Sequence, residues 1–172
     1  MAIGLHHNIP FDALSKNLEQ FKGTWRRFEN LGKYKGTTII SDYGHHPEAI
    51  QATLEGAREL YPDKRIGIVF QPHQHNRTKE LFNDFTIAFN GADYIIIAEI
   101  FDVLGREEDH DQNISSEDMV NKIKESGAKE VYYAPDLIHT KTELDKHIQK
   151  NDIVIIMGAG DIYKVAEGLF KA

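Results

Sequence analysis

Two short runs in this chain gather residues able to do chemistry: S-D-Y-G-H-H-P at 41–47 and F-Q-P-H-Q-H-N-R-T at 70–78. Together they hold four imidazoles, a guanidinium and a carboxylate. Asp42 can accept two hydroxyl hydrogen bonds, as from a ribose, and Tyr43 offers a flat face to a base. His45 and His46 stand just before a helix start marked by Pro47, where unpaired backbone N–H groups favour negative charge. Arg77 has a rigid fork suited to a carboxylate or phosphate, and His73 is a second donor. A basic residue in a first helical turn opposes the helix dipole, and an anion placed between them would relieve that conflict. His73 and His75 would share a face of an extended segment and could bridge a metal. No H-E-x-x-H pattern or clear third ligand accompanies them, so no metal site is assigned.

Each run begins where β-type residues end, at Thr37–Ile40 and Ile66–Val69, and stands before a helical pattern. That places both at the carboxyl edge of neighbouring strands, where α/β sheets bind ligands. The rest of the chain alternates in the same way. Helices are expected over Phe11–Phe21, from Pro47 to Tyr61, over Arg77–Phe89, from a capping box at Ser115 and Asp118, from a second box at Thr140 and Glu143, and over Asp161–Phe170. Strands are expected over Arg65–Phe70, Asp93–Ala98, Glu130–Tyr133 and Asp152–Met157. Trp25–Lys33 and Lys35–Ile40 read as two extended segments that could form a hairpin around Gly32 and Gly36. If residue 25 onward is extended, Arg26 and Arg27 face opposite sides and only one readily reaches the site. The expected fold is α/β: a Rossmann-like three-layer domain whose mostly parallel sheet carries an N-terminal antiparallel strand, with helices on both faces. G-A-G-D at 158–161 reads as a tight turn with Asp161 capping the last helix. Ile100–Ile114 is polar and irregular and is expected to be a mobile loop on the ligand edge; its acidic run, Glu107 to Asp111, reads as solvated.

The bounds are consistent with this. A chain of 172 residues with 41% apolar content suits one core. A net charge of −7 disfavours non-specific nucleic-acid binding, so any phosphate must be held by a few placed donors. No apolar run approaches a membrane span, and the first ten residues do not read as a secretory signal. The lack of cysteine excludes disulfides and thiolate chemistry and fits a reducing cytoplasm.

R-R-F-E at 26–29, D-Y-G-H-H-P at 42–47, F-Q-P-H-x-x-x-R-T at 70–78 and M-G-A-G-D-I at 157–162 resemble, in this order and spacing, the C-terminal domain of the Mur ligase family. The nearest type is the one that joins L-alanine to UDP-N-acetylmuramate. The resemblance implies that residues 25–172 are that domain and residues 1–24 the tail of a preceding central ATPase domain. It implies ATP-dependent amide bond formation in cytoplasmic peptidoglycan precursor synthesis, with Mg²⁺ bound mainly by the central domain. By position, Arg26, Arg27, Asp42 and Tyr43 would bind ATP, His45 and His46 would serve the reacting acyl phosphate, and His73 and Arg77 would hold the amino-acid carboxylate. The chain departs from the usual pattern at Ser41, Gln74, His75 and Asn76, which leaves the accepted amino acid open. No G-x-x-x-x-G-K-[ST] loop occurs, so the chain alone is expected to be inactive. The alternatives are a non-catalytic nucleotide- or anion-binding module and a small metallohydrolase built on the histidines.

Overall fold

The computed structural model describes residues 1–21, 23–102 and 114–171. In chain order the elements are α1 (Ala2–His6), α2 (Phe11–Gln20), β1 (Glu29–Tyr34), β2 (Thr37–Asp42), α3 (Pro47–Leu60), β3 (Ile66–Phe70), α4 (His75–Glu80), α5 (Phe82–Ala88), β4 (Tyr94–Ala98), α6 (Ser116–Glu125), β5 (Val131–Ala134), α7 (Leu137–His147), β6 (Ile153–Met157) and α8 (Tyr163–Gly168). The strands form one sheet in the order β1-β2-β6-β3-β4-β5. β1 runs antiparallel to β2, and the other pairs are parallel. This is the α/β architecture that the alternation of strands and helices implies.

Successive side chains of a strand point to opposite faces, and here the two sets meet different helices. Ile66, Ile68, Phe70, Ile153, Ile155 and Met157 pack with Leu54, Phe85 and Met119 of α3, α5 and α6. Ile39, Val69, Ile96, Val154 and Ile156 pack with Leu144 of α7 and Val165 of α8. β3, β4 and β6 are buried along their whole length, which explains their continuous apolar runs. Each fully buried isoleucine contributes about 1.5–3 kcal/mol, so the sheet is the rigid frame on which the shorter helices rest.

After β5 the chain returns to insert β6 between β2 and β3. Met157 is therefore paired with Asp42 on one side and Phe70 on the other. The turns that follow these three strands lie side by side, at the kind of topological reversal where open α/β sheets bind ligands.

Several local expectations are corrected. The single helix expected over Arg77–Phe89 is two helices, broken at Leu81. It starts earlier, at His75, because the Asp102 carboxylate accepts from the His75 backbone N–H at 3.3 Å and meets its ring Nδ1 at 2.6 Å. The capping box at Ser115 and Asp118 forms. The one at Thr140 and Glu143 does not, because Asp136 caps α7 first, accepting from the His139 N–H at 2.8 Å. Thr140 is left inside the helix, donating its hydroxyl to the Asp136 carbonyl at 2.7 Å. Residues 25–28 are not extended: Arg26 and Phe28 have φ of 54° and 49°, and β1 begins only at Glu29. Asp161 does not cap α8. Its carboxylate accepts from Gln71 Nε2 at 3.1 Å and Lys164 Nζ at 3.3 Å. Most of the loop expected at 100–114, with its acidic run, lies outside the described residues.

α1 and α2 bury no residue, and Ile3, Phe11, Leu18 and Phe21 are exposed. Among the described residues no helix is long and apolar enough to cross a membrane.

Candidate functional site

The first wall of the site is the turn after β2. The Asp42 carboxylate is nearly buried and accepts two backbone N–H groups, Gly44 at 2.7 Å and Phe28 at 2.8 Å. Tyr43 donates its N–H to the Arg26 carbonyl at 2.7 Å. These bonds tie the turn to residues 26–28. Gly44 must be small: a Cβ there would overlap the Met157 methyl and stand 3.0 Å from Asp42 Oδ1. His46 is the residue before α3, and Pro47 supplies the first helical position.

The second wall is the turn after β3. Gln71, 5% exposed, donates its N–H to the Met157 carbonyl at 3.0 Å. Its side chain crosses to the turn after β6, with Oε1 accepting the Ile162 N–H at 3.0 Å and Nε2 donating to Asp161 Oδ1 at 3.1 Å. Pro72 and Gln74 exchange backbone hydrogen bonds with Phe101 at 2.9 and 2.8 Å. The His73 ring stacks on that Phe101 at 5.6 Å and 26°.

The two walls meet. The rings of His45 and His73 are 5.9 Å apart between centroids. The rings of Tyr43 and His45 meet in a T at 5.7 Å and 88°, and the Arg27 guanidinium lies over the Tyr43 ring at 5.1 Å. Arg77 and Arg27 are both close enough for their charges to act on His45. Arg27, Tyr43, His45, His73 and Arg77 thus share one rim. His46 stands at its margin, half-exposed, with Nδ1 3.9 Å from Glu48. Arg26 and Asp42 lie beneath it, both buried. His75 is engaged by Asp102, so its ring has a different partner from that of His73. Among the described residues no group of three or more His, Asp or Glu side chains is placed to hold a metal ion. Gln71 and Phe101 escape a reading of the sequence as ligands, because both act by aiming neighbours. Their only signal is position, one at a strand end and one on the facing edge.

His45 is held below the ordinary imidazole value, first by burial and also by the positive charges of Arg77, His46 and Arg27. The Tyr43 carbonyl, 3.3 Å from Nδ1, acts in the opposite direction. That contact favours the proton on Nδ1 and leaves Nε2 as the acceptor. The linkage has a definite sign. Below the ordinary value the unfolded chain binds more protons at this ring than the native chain does, so stability falls as the pH drops through about 6.5 toward the lowered value. The urea midpoint should therefore fall more steeply for the natural chain than for His45→Gln between about pH 7 and pH 5.5. Parallel curves for the two proteins would show that His45 is not held down by the fold.

Residues 26–160 match the model of the Mur ligase, glutamate ligase domain. The chain is 38% identical over its whole length to the UDP-N-acetylmuramate–L-alanine ligase of Desulfatibacillum aliphaticivorans and covers 37% of that protein. It is 44% identical, over 95% of its length, to the ligase of the same name from Lachnospira eligens, of which it covers 35%. The chain thus spans about a third of the length of the curated relatives it matches. Among solved structures, the UDP-N-acetylmuramate-alanine ligase of Thermotoga maritima superposes with a TM-score of 0.68 at 27% identity, over 92% of this chain and 34% of that one. A crystallised ligase domain from Haemophilus ducreyi, 21% identical with a TM-score of 0.61, shares the fold over 83% of this chain and 96% of its own. A family model matched over most of the chain and relatives 38% and 44% identical show that the chain belongs to the Mur ligase family.

Proposed function

We propose that this chain is the part of a UDP-N-acetylmuramate–L-alanine ligase that closes over the nucleotide and presents the amino acid. The observation that carries this reading is the single cationic rim, with His45 and His73 5.9 Å apart and Arg27 and Arg77 nearby. In the proposed reaction the γ-phosphoryl group passes from ATP to the muramate carboxylate. The amine of L-alanine then attacks the acyl phosphate, giving the amide, ADP and phosphate. Such chemistry asks chiefly for positioning and charge neutralisation. Tyr43 and Arg27 form the nucleotide side, and Asp42 offers its remaining lone pairs to a ribose. His73 and Arg77 take the amino-acid carboxylate. His45, neutral at working pH, accepts a proton from the incoming ammonium, and His46 at the margin faces the phosphates. The described residues offer no cluster fit for Mg²⁺, so none of these roles is routed through the ion. The exposed apolar residues of α1 and α2 support a second part of the reading, that residues 1–24 belong to a preceding ATPase domain. Use of ATP places the reaction in the cytoplasm.

The test is phosphate release from ATP by the full-length parent protein, which should require both UDP-N-acetylmuramate and L-alanine. A parent inactive with every small amino acid overturns the substrate reading. The chain alone should show no turnover. Tight ATP binding to it by calorimetry would instead favour a stand-alone nucleotide-binding module.

A further inference from the structure

Two adjacent arginines reach the rim from residues 25–28, and their surroundings divide the work between them. The Arg26 side chain is 3% exposed and donates to the carbonyl oxygens of Gly158 and Gly160, the second at 3.3 Å. Its guanidinium lies 4.8 Å from the ring centroid of Tyr163, 4.9 Å from that of Tyr43 and 5.3 Å from that of Trp25. Its main chain is tied as well, the carbonyl to the Tyr43 N–H at 2.7 Å and the N–H to Glu29 Oε2 at 2.9 Å. The guanidinium lies against three rings, its Nη2 donates to two carbonyls and its Nε is buried with no hydrogen-bond partner among the described residues, so little of it is open to an anion. Arg27 is exposed and stands over Tyr43.

We propose that Arg26 is a positioning residue that bolts the turn after β6 to the turn after β2, and that Arg27 alone of the pair meets the ligand. The bolt has a counterpart. Gln71 grips the same turn from the side of β3, at Asp161 and Ile162. With both in place the middle turn fixes the spacing of the two histidine-bearing walls, Tyr43 and His45 on one and His73 on the other. The Arg27 assignment rests on the reading of the rim as a nucleotide site; the bolt does not.

Arg26→Lys is the decisive variant, because it keeps the charge and loses the planar guanidinium that lies against three rings while its Nη2 donates to two carbonyls. Two amides report on the middle turn: Gly158, whose N–H donates to the Asp42 carbonyl at 3.2 Å, and Ile162, whose N–H donates to Gln71. In this chain Arg26→Lys should speed hydrogen exchange at Gly158 and Ile162 about tenfold or more, while Ile68 and Ile155 in the central strands keep their protection. Arg27→Lys should leave all four unchanged. In the full-length protein, Arg26→Lys should lower kcat about tenfold with KM for ATP within about twofold, whereas Arg27→Ala should chiefly raise KM for ATP. Should Arg26→Lys fail to fold, Tyr163→Leu removes one ring face from the guanidinium and should loosen the same two amides. Native exchange at Gly158 and Ile162 in the folded variant overturns the bolt. An effect of Arg26→Lys on KM for ATP alone also overturns it, since that is the signature of a ligand contact. If the parent consumes no ATP, the nucleotide reading and the Arg27 assignment fail together, while the exchange measurement still decides the bolt.

Discussion

If the rim serves as proposed, Arg77→Ala in the full-length parent protein should raise the KM for the amino acid by roughly 100-fold, the loss of about 3 kcal/mol of carboxylate binding. The guanidinium comes from the first turn of α4, which starts immediately after the turn that carries His73. Its charge acts on His45, and the residue is partly buried. A carboxylate placed there meets a bidentate fork. It also lets the α4 start and the Arg77 charge coexist, since each then faces a negative group. Nucleotide affinity should stay within about twofold, because in the proposed arrangement Arg27 and Tyr43, not Arg77, meet the nucleotide. Arg77→Lys should recover only part of the loss, as a point charge on a flexible stem cannot form two parallel bonds. An unchanged KM with a reduced kcat would move Arg77 from the amino acid to the reacting phosphate.

The features legible in the sequence were those set by nearest neighbours. Pro47 marks the start of α3, and Ser115 with Asp118 forms the capping box of α6, because each signal acts within one turn. The apolar runs of β3, β4 and β6 lie where strands were expected, and all three are buried along their whole length. What stayed hidden depended on partners distant in sequence or on backbone sign. Alternation assigned Arg26 and Arg27 to opposite faces, and they do end in different surroundings, but for another reason: positive φ at Arg26 and Phe28 ends the extended geometry that alternation requires. Thr140 and Glu143 satisfied the capping pattern, yet Asp136 reached a free N–H earlier in the chain. Gln71 drew no reading of its own, because its partner Asp161 lies 90 residues away. Asp161 was in turn misread as a cap because Gln71 was out of view. In the site itself, the meeting of the two histidine turns was implied by the topological rule alone; their 5.9 Å separation needed β6 between β2 and β3.

Gly160→Ala should cost about 1–3 kcal/mol of stability, the range for overpacking a filled core, and should disturb His73 although it never touches that ring. A Cβ at position 160 would stand 2.5 Å from both Gln71 Oε1 and Phe101 Cγ, and 2.8 Å from Phe101 Cβ. Neither neighbour yields easily. Gln71 is bonded at both ends of its amide, and Phe101 is bonded through its backbone to Pro72 and Gln74. The displacement therefore passes to Phe101, on which the His73 ring is stacked, and from there to the wall that carries Arg77. A lowered urea midpoint together with shifted His73 ring resonances is the expected pair of results. Gly56→Ala is the control: a Cβ there meets nothing within 4 Å, and alanine in the middle of α3 should stabilise by about 0.5–1 kcal/mol. If Gly160→Ala lowers the midpoint and leaves His73 unmoved, Phe101 does not couple the middle turn to the site. The G-A-G segment would then be a packing requirement of the sheet edge and no part of how the rim is held.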